Sequence, residues 1–485
     1  MVALGYTLSF AFMITIMLVG ELLQRKFDLD KELTRKCEHI LTAFSWVIVY
    51  IFVGVSIHMM IINLIACALL GIITFGNFMK SVDREDTEKS YGLFYYGLST
   101  SIVAVIVVFV NPDFIALHGI TWFCLALGDG FAPVFAKIFK KKNFEVFSPK
   151  TIMGMLGVLI FSFVSAVAFN FIFNLEFSWL FMVSIACLAT MLELLGKKGF
   201  DNFFVEFGVF GYLVLNYYGL VTPAFMASTI IAMVLVVFAS KTKALTDGAN
   251  TVSYFFLLIC GFCGGWALMI TVASLFLLNG VCSKVTSSIL KKKKQQPKKH
   301  SARNIWQILA NCLVTAGLAV TYYLTNEFMF LLGGLAVIGE EFADTMASDF
   351  GKFSRRQPID ILRFKRIEKG LSGGVSLIGT FMAFVGATVA MLIGYAILGK
   401  ELSFEIFVLL CVVVFAGTII DSILGSGMQA LFKCNVCGAL VESRNHCQTK
   451  AECVKGIPWL NNSMVNFLSG LLTAVLTCGA LVMLL

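Results

Sequence analysis

Apolar runs of about 17–25 residues recur along the chain, the length a helix needs to cross a hydrocarbon core of roughly 30 Å. Lipid offers no partner for an unpaired backbone N–H or C=O, so such runs must be helices unless the chain closes into a barrel. The alternating polar and apolar segments of a barrel are absent. About sixteen runs can be drawn, from 4–24 to 462–484, with boundaries good to a few residues. The first run is too long for a signal peptide and lacks a small-residue cleavage site, so it reads as the first span. Only 14% of the 485 residues are charged, where a soluble domain carries about 25%. The expected fold is all-α: a polytopic integral membrane protein of about sixteen transmembrane helices.

The net charge of +8 does not point to nucleic acid, because Lys and Arg gather in alternate inter-span loops. Loops near 55–57, 111–117, 175–177, 219–221 and 324–327 carry none. By the positive-inside rule the basic loops face the cytoplasm and both termini face out. The run KKKKQQPKKH at 291–300 reads as a solvated linker of the same kind. Most of the fourteen Cys lie in apolar spans, where a thiol behaves as a small hydrophobe, and no secreted-type disulfide framework is visible. Phe is abundant, at 47 residues, but composition does not separate a tail-binding groove from lipid contact.

The two halves echo each other. GDGFAPVFAK places Asp129 eight residues before Lys137, and ADTMASDFGK places Asp344 eight before Lys352. Each is followed by a basic loop ending in Lys-x3-Gly: Lys150 with Gly154, and Lys369 with Gly373. One span later come Glu193, Asp201 and Asn202 in the first half and Asp421 in the second. The second half reaches its Asn pair, Asn461 and Asn462, only after a Cys-bearing insertion.

Carboxylates at span ends are costly unless paired or bound to a cation. One or two of them together with substrate phosphates are the usual way to hold Mg²⁺, which nominates Asp129, Glu193, Asp344 and Asp421. Lys137, Lys150, Lys352 and Lys369 would face a polyphosphate. Gly154, Gly373 and Gly374 would let backbone N–H groups approach it. These are the parts of phosphoryl or nucleotidyl transfer. Walker A, GxSxG and HExxH patterns are absent. In the loop at 433–461, Cys434 and Cys437 form a knuckle, with Cys447 and Cys453 as a second pair and His446 as a substitute. That set fits a structural Zn²⁺ site, with reduced thiols as the alternative.

With these residues in view, the first half resembles the polyprenol kinase family of phytol, farnesol and dolichol kinases. The motifs are RKCEH (Arg35, Lys36, His39), YGLFYYGL (Tyr91, Gly92), GDGFAPVFAK, SPKTIMG (Ser148 to Gly154) and ELLGKKGFDN. The second half resembles the phytyl-phosphate kinase family through Asn279 to Lys284, WQILAN (ending at Asn311), ADTMASDFGK, GGVSLIGT, DSILGSGMQ and WLNNSMVNFLS (with Asn462 and Asn466). The resemblance covers nearly the whole chain. It implies a polyprenol kinase-like domain at 1–215, a connecting span at 216–240 and a prenyl-phosphate kinase-like domain at 241–485.

The implied activity is a fused, two-step phosphotransfer from CTP, with Mg²⁺: isoprenoid alcohol to monophosphate, then monophosphate to diphosphate. Asp129 would hold the metal-bound nucleotide in the first site, with Lys137 and Lys150 on its phosphates. Asp344, helped by Asp349, would do so in the second, beside Lys352 and Lys369. His39 is the candidate base for the alcohol proton, with Glu38, Glu85 and Asp201 as competitors. The second reaction starts from an anionic phosphate, and the second half has no RKxxH counterpart. Expected partners are membrane lipids, the isoprenoid alcohol and its phosphate, without nucleic acid; oligomeric state is not set by the sequence. Two other readings stand beside this one: a phosphatidate cytidylyltransferase-like CDP-lipid synthase, and a transporter, which repeated membrane halves also suggest.

Overall fold

Helices form wherever the apolar runs lie, because in each run only a helix pairs every backbone group internally. The computed structural model describes residues 1–27, 31–76, 91–140, 144–196, 199–292 and 302–484, excluding the side chains of Arg25, residues 31–33 and residues 291–292. Glu85, Lys197, Lys198 and most of the basic run at 291–300 lie outside the described residues. The chain divides into two compact units, Met1–Lys241 and Thr242–Leu485.

The first unit holds α1 (Val2–Phe27), α2 (Lys31–Ala43), α3 (Ser45–Phe52), α4 (Ile57–Gly76), α5 (Gly92–Phe109), α6 (Ile115–Ile138), α7 (Ile152–Phe173), α8 (Trp179–Leu195), α9 (Asp201–Tyr217) and α10 (Pro223–Thr242). A hairpin of β1 (Glu145–Phe147) and β2 (Lys150–Thr151) joins α6 to α7. The second unit holds α11 (Asp247–Cys263), α12 (Gly265–Lys292), α13 (Ile305–Thr325), α14 (Phe328–Gly351), α15 (Leu377–Leu398), α16 (Phe404–Gly427) and α17 (Asn462–Leu484). Here β3 (Ile359–Asp360) and β4 (Gly374–Val375) form the hairpin between α14 and α15.

Among the described residues, eleven helices are long and apolar enough to cross a membrane. The other five expected spans are helical but depart from that standard. α2 and α3 are separated by a break at Phe44. α8, α9 and α11 have 17 residues each, or about 25 Å at 1.5 Å per residue. α14 is long enough but carries Glu340, Glu341, Asp344 and Asp349.

The halves share one order of elements: helix, two-stranded hairpin, helix, helix, with a last helix packed against the first and third. Small residues let the first pair touch along their length. A Cβ on Gly157 would sit 3.1 Å from the Phe131 carbonyl, and one on Gly386 would sit 2.9 Å from the Ala343 Cα. Each second helix starts with a side-chain cap: Thr151 accepts from the Gly154 N–H, and Ser376 from the Gly379 N–H.

These caps correct the sequence register. They pair Gly154 with Gly379 rather than with Gly373, and they place Lys150 opposite Val375 rather than Lys369. Gly373 serves another purpose: its φ is +79°, and a Cβ there would meet the Ser426 backbone at 2.5 Å.

The insertion after α16 is a small β module. β5 (Leu431–Lys433) pairs with β6 (Leu440–Val441) and with β9 (Glu452–Lys455), while β7 (Asn445–His446) and β8 (Thr449–Lys450) form a separate hairpin.

Candidate functional sites

In the first unit, Asp129 lies midway along α6 between two glycines. A Cβ on Gly130 would fall 2.3 Å from Ile40, so this glycine is what lets α2 lie against α6. That approach brings Lys36 of α2 onto the Asp129 carboxylate as a short ion pair, with the Lys36 side chain only 6% exposed. His39, one turn along α2, places Nε2 3.9 Å from the other Asp129 oxygen. This Nε2 is buried and has no hydrogen-bond partner among the described residues. Pro133, inside α6, has no N–H for the carbonyl four residues back, so the backbone oxygen of Asp129 is also left out of the helix ladder.

A second charged group adjoins the first. Lys150, at the end of the hairpin, reaches Glu193 Oε1 at 3.0 Å and Asp201 Oδ2 at 3.1 Å, and also donates to the Glu193 carbonyl. Burial works against the Lys150 charge, yet these carboxylates hold it above the ordinary lysine value. Asn202 donates to the Gly92 carbonyl at 2.6 Å, and Gly199, at φ +92°, lets the start of α9 pass against Gly92.

Arg35, Lys36, His39, Gly92, Asp129, Asp201 and Asn202 all line one cavity of about 1110 Å³, its mouth included. The rest of its wall is largely apolar, including Met13, Met17, Leu70, Tyr96 and Trp122. A smaller cavity of about 390 Å³ shares Met13, Ser45, Asn63, Ala66 and Trp122 with it and extends to Val49 and Ile62.

Not every expected residue joins this group. Lys137 is exposed and lies about 12 Å along α6 from Asp129 at 1.5 Å per residue, so it does not bear on that carboxylate. Gly154 is committed to the α7 cap, and Tyr91 packs against Phe75 with ring centroids 5.8 Å apart and the rings tilted by 38°.

In the second unit, α14 presents Glu340, Glu341 and Asp344 within electrostatic reach of one another and of Asp421 on α16. Arg303 is the basic group that reaches Glu341 and Asp344. Asn311 of α13 donates to Glu341, Asn466 of α17 reaches Asn311 at 3.5 Å, and Asn462 reaches Asn466 at 3.2 Å. Ser469 Oγ lies 3.2 Å from Glu340, 3.3 Å from Asp421 and 3.0 Å from the Asn466 carbonyl. One hydroxyl proton cannot serve three acceptors, and four carboxyl groups share one arginine here, so acidic groups outnumber their basic partners. Asp349 is within electrostatic reach of Asp344, whereas the two lysines point elsewhere. Asp349 accepts from Ser283 at 2.6 Å and from Lys352 at 2.7 Å, while Lys369 donates to the Ser354 carbonyl at 2.5 Å.

The β module gathers Cys434, Cys437, His446 and Cys447, whose ligand atoms all lie within 4.8 Å of one another. That spacing suits one tetrahedral ion, whose ligands stand about 3.8 Å apart for Zn–S near 2.3 Å. Hydrogen bonds from the Cys437 and Val436 backbone and from His446 hold the Cys434 thiol down at about 6, so it is a ready thiolate. His446 therefore takes the place expected for Cys453. The Cys453 thiol sits on β9 and donates to the Lys455 carbonyl at 3.4 Å, outside the quartet.

Comparison with known proteins supplies the family. Residues 230–474, just over half of the chain, match the family described as "Integral membrane protein DUF92". The chain belongs to the DUF92 family. An uncharacterized membrane protein of Methanocaldococcus jannaschii is 28% identical over 205 residues, which are 41% of this chain and 81% of that protein. The protein named PGR of Arabidopsis thaliana is 25% identical over 268 residues, 50% of this chain and 91% of that one. No solved structure matches the chain.

The DUF92 match contains the whole carboxylate group of the second unit and the Cys quartet. The site around Asp129 lies outside it. Sequence reasoning passed over Glu340 and Glu341, although two adjacent Glu in an apolar helix, with Asp344 four residues after the first, are a visible signal. It also passed over the His118–Glu206 pair, 3.9 Å apart and fully buried between α6 and α9.

Proposed function

We propose that this integral membrane protein is a two-step lipid kinase. It would convert an isoprenoid alcohol of the phytol, farnesol or geranylgeraniol class to its monophosphate in the first unit and to the diphosphate in the second. The observation that carries the reading is the cavity of the first unit, where a charged end at Lys36, His39 and Asp129 continues into an apolar wall at Met13, Met17, Leu70 and Trp122. A lipid alcohol has this shape: one reactive hydroxyl and a long hydrocarbon tail. The adjoining smaller cavity extends the apolar space past Trp122.

When bound, Mg²⁺-CTP supplies the phosphoryl group. In the first unit, Asp129 and Glu193 would carry the oxygens for the metal and Arg35, Lys36 and Lys150 the charge for phosphates, with Gly92 and Asn202 lining the site beside them. Both carboxylates are already matched by a lysine, so this donor set suits a metal carried in with phosphates better than a metal held alone. His39 Nε2, buried and unpartnered, accepts the proton from the alcohol oxygen. Trp122 and Tyr96 keep bulk water from the hydroxyl end.

The second unit needs no base, because its substrate is already an anion. Its surplus of carboxylates at Glu340, Glu341, Asp344 and Asp421 fits a divalent cation. The basic loops and both sites face the cytoplasm on this reading, with the termini opposite. The Cys quartet holds a structural Zn²⁺.

Membranes containing the protein, given γ-labelled CTP, Mg²⁺ and each prenol, are expected to label both mono- and diphosphate lipids. Asp129→Ala should lower the first step by about 10²–10³-fold and spare the second when monophosphate is supplied, with Asp344→Ala doing the reverse. Loss of both steps in each variant would sink the two-site assignment. Released pyrophosphate without labelled lipid would replace the kinase with a cytidylyltransferase.

A further inference from the structure

Between the β3–β4 hairpin and the Cys-bearing module lies a cavity of about 730 Å³, its mouth included, that the reading above leaves unused. Four cations line it, Arg363, Lys365, Arg366 and Lys455, against two carboxylates, Asp360 and Glu442.

Both carboxylates are already committed. Asp360 Oδ1 accepts from Ser426 Oγ at 2.5 Å and from the N–H groups of Leu362 and Arg363 at 3.1 and 3.0 Å. Its Oδ2 stands 3.7 Å from both Arg363 and Lys455, which places these two cations side by side. Glu442 Oε1 accepts from the Ser372 N–H at 2.8 Å and its hydroxyl at 2.7 Å. Lys365 and Arg366 have no acidic partner among the described residues. Burial, and then the nearby Arg363, hold Lys455 below the ordinary lysine value, with Asp360 working in the other direction.

A second observation is independent of charge. Gln429, only 3% exposed, lines the same cavity, and neither its carboxamide nitrogen nor its oxygen has a hydrogen-bond partner among the described residues. A buried amide left unpaired is costly, so its presence beside unmatched cations calls for a ligand that accepts hydrogen bonds. The fold is shaped around this position. Gly456, at φ +76°, lets the end of β9 cross Gln429 so closely that a Cβ would fall 2.1 Å from the Gln429 carbonyl. Gly425, one helical turn beyond Asp421 on α16, forms part of the wall.

We propose that this cavity binds a phosphate-chain anion of the kind carried by a nucleoside triphosphate, through Arg363, Lys365, Arg366, Lys455 and the Gln429 carboxamide. Naming a nucleotide as the source rests on the kinase reading; binding of the anion does not. Guanidinium and ammonium donors together suit this chemistry, since Arg grips phosphate oxygens in pairs and Lys adds a point charge.

The test uses the full chain in phosphatidylcholine nanodiscs, with inorganic tripolyphosphate as the probe and calorimetry as the readout. The parent should bind it. Lys365→Gln combined with Arg366→Gln, both on exposed side chains, should weaken binding by about tenfold or more without moving the melting temperature. Gln429→Leu should weaken it severalfold. Unchanged binding in both variants, or no binding by the parent, overturns the proposal. Loss of tripolyphosphate binding in phosphatidylglycerol discs overturns the nucleotide assignment in favour of a lipid headgroup. The two readings fail separately. If tripolyphosphate binds at these residues while no prenol is phosphorylated, the cavity stands and the kinase reading falls. If diphosphate lipid forms with unchanged KM for CTP in the double variant, the assignment of the cavity to the nucleotide falls alone.

Discussion

Lys36 and Asp129 are 93 residues apart in sequence and in contact in the fold, and both side chains are largely shielded from water. Removing one charge of a buried pair leaves the other uncompensated, at a cost of about 3–5 kcal/mol, whereas replacing both with apolar groups is often neutral. Lys36→Met and Asp129→Leu should therefore each lower the melting temperature sharply, and the double variant should recover most of the loss while remaining inactive in the first step. Thermal unfolding of the four proteins in one detergent checks this, and simple additivity of the two losses would refute the pairing. Lys150 offers a test by pH. Its folded value lies above the unfolded one, so its contribution is complete below the unfolded lysine value of about 10.4 and is lost as pH rises through the folded value. The melting temperature gap between the parent and Lys150→Met should close as pH rises into strong alkali, where the ammonium loses its proton. A gap that stays the same through strong alkali would contradict the Glu193–Lys150–Asp201 arrangement.

The elements divide into those that the sequence announces and those that it does not. Long apolar helices announce themselves because length and hydropathy are summed over some twenty residues. The break between α2 and α3 and the two-residue strands β2, β3 and β4 do not, since so short a segment has no period to read. The Lys-x3-Gly match misled for the same reason. Spacing along an irregular loop carries no register, and it is the Thr151 and Ser376 caps that align the halves. Asp129, Asp344 and Asp421 stood out as charges in apolar runs, but Lys36 as a partner of Asp129 depended on the packing of α2 at Gly130, a long-range contact. In the Cys module, spacing found the knuckle but chose Cys453 over His446, because the β7–β8 hairpin that presents His446 cannot be counted from the sequence. This module should contain one zinc per chain by elemental analysis. Cys434→Ser and Cys437→Ser should lose it, Cys453→Ser should keep it, and chelation should lower the melting temperature. Equal zinc loss in the Cys453 variant would restore the sequence-based quartet.

On the proposed kinase reading, one chain carrying two related units suits a two-step reaction on a membrane-bound substrate. The intermediate, a single-chain monophosphate, has a tail that keeps it in the bilayer and a charge that keeps it at the surface, so it diffuses laterally. Joining the two sites raises the local concentration of intermediate at the second site without any new contact, and the gain is greatest when the protein is sparse in the membrane. This can be measured with full-length proteins by mixing Asp129→Ala and Asp344→Ala in the same vesicles and comparing the mixture with the parent at equal numbers of working sites. As lipid is added, the lag before diphosphate appears should lengthen for the mixture, because its intermediate must travel from one chain to another. The parent's lag should change little. Equal lags at every dilution would mean that each site draws on the bulk pool. The repeated architecture would then reflect duplication of a fold, and the advantage of fusion would lie elsewhere, in the matched production of two activities from one chain.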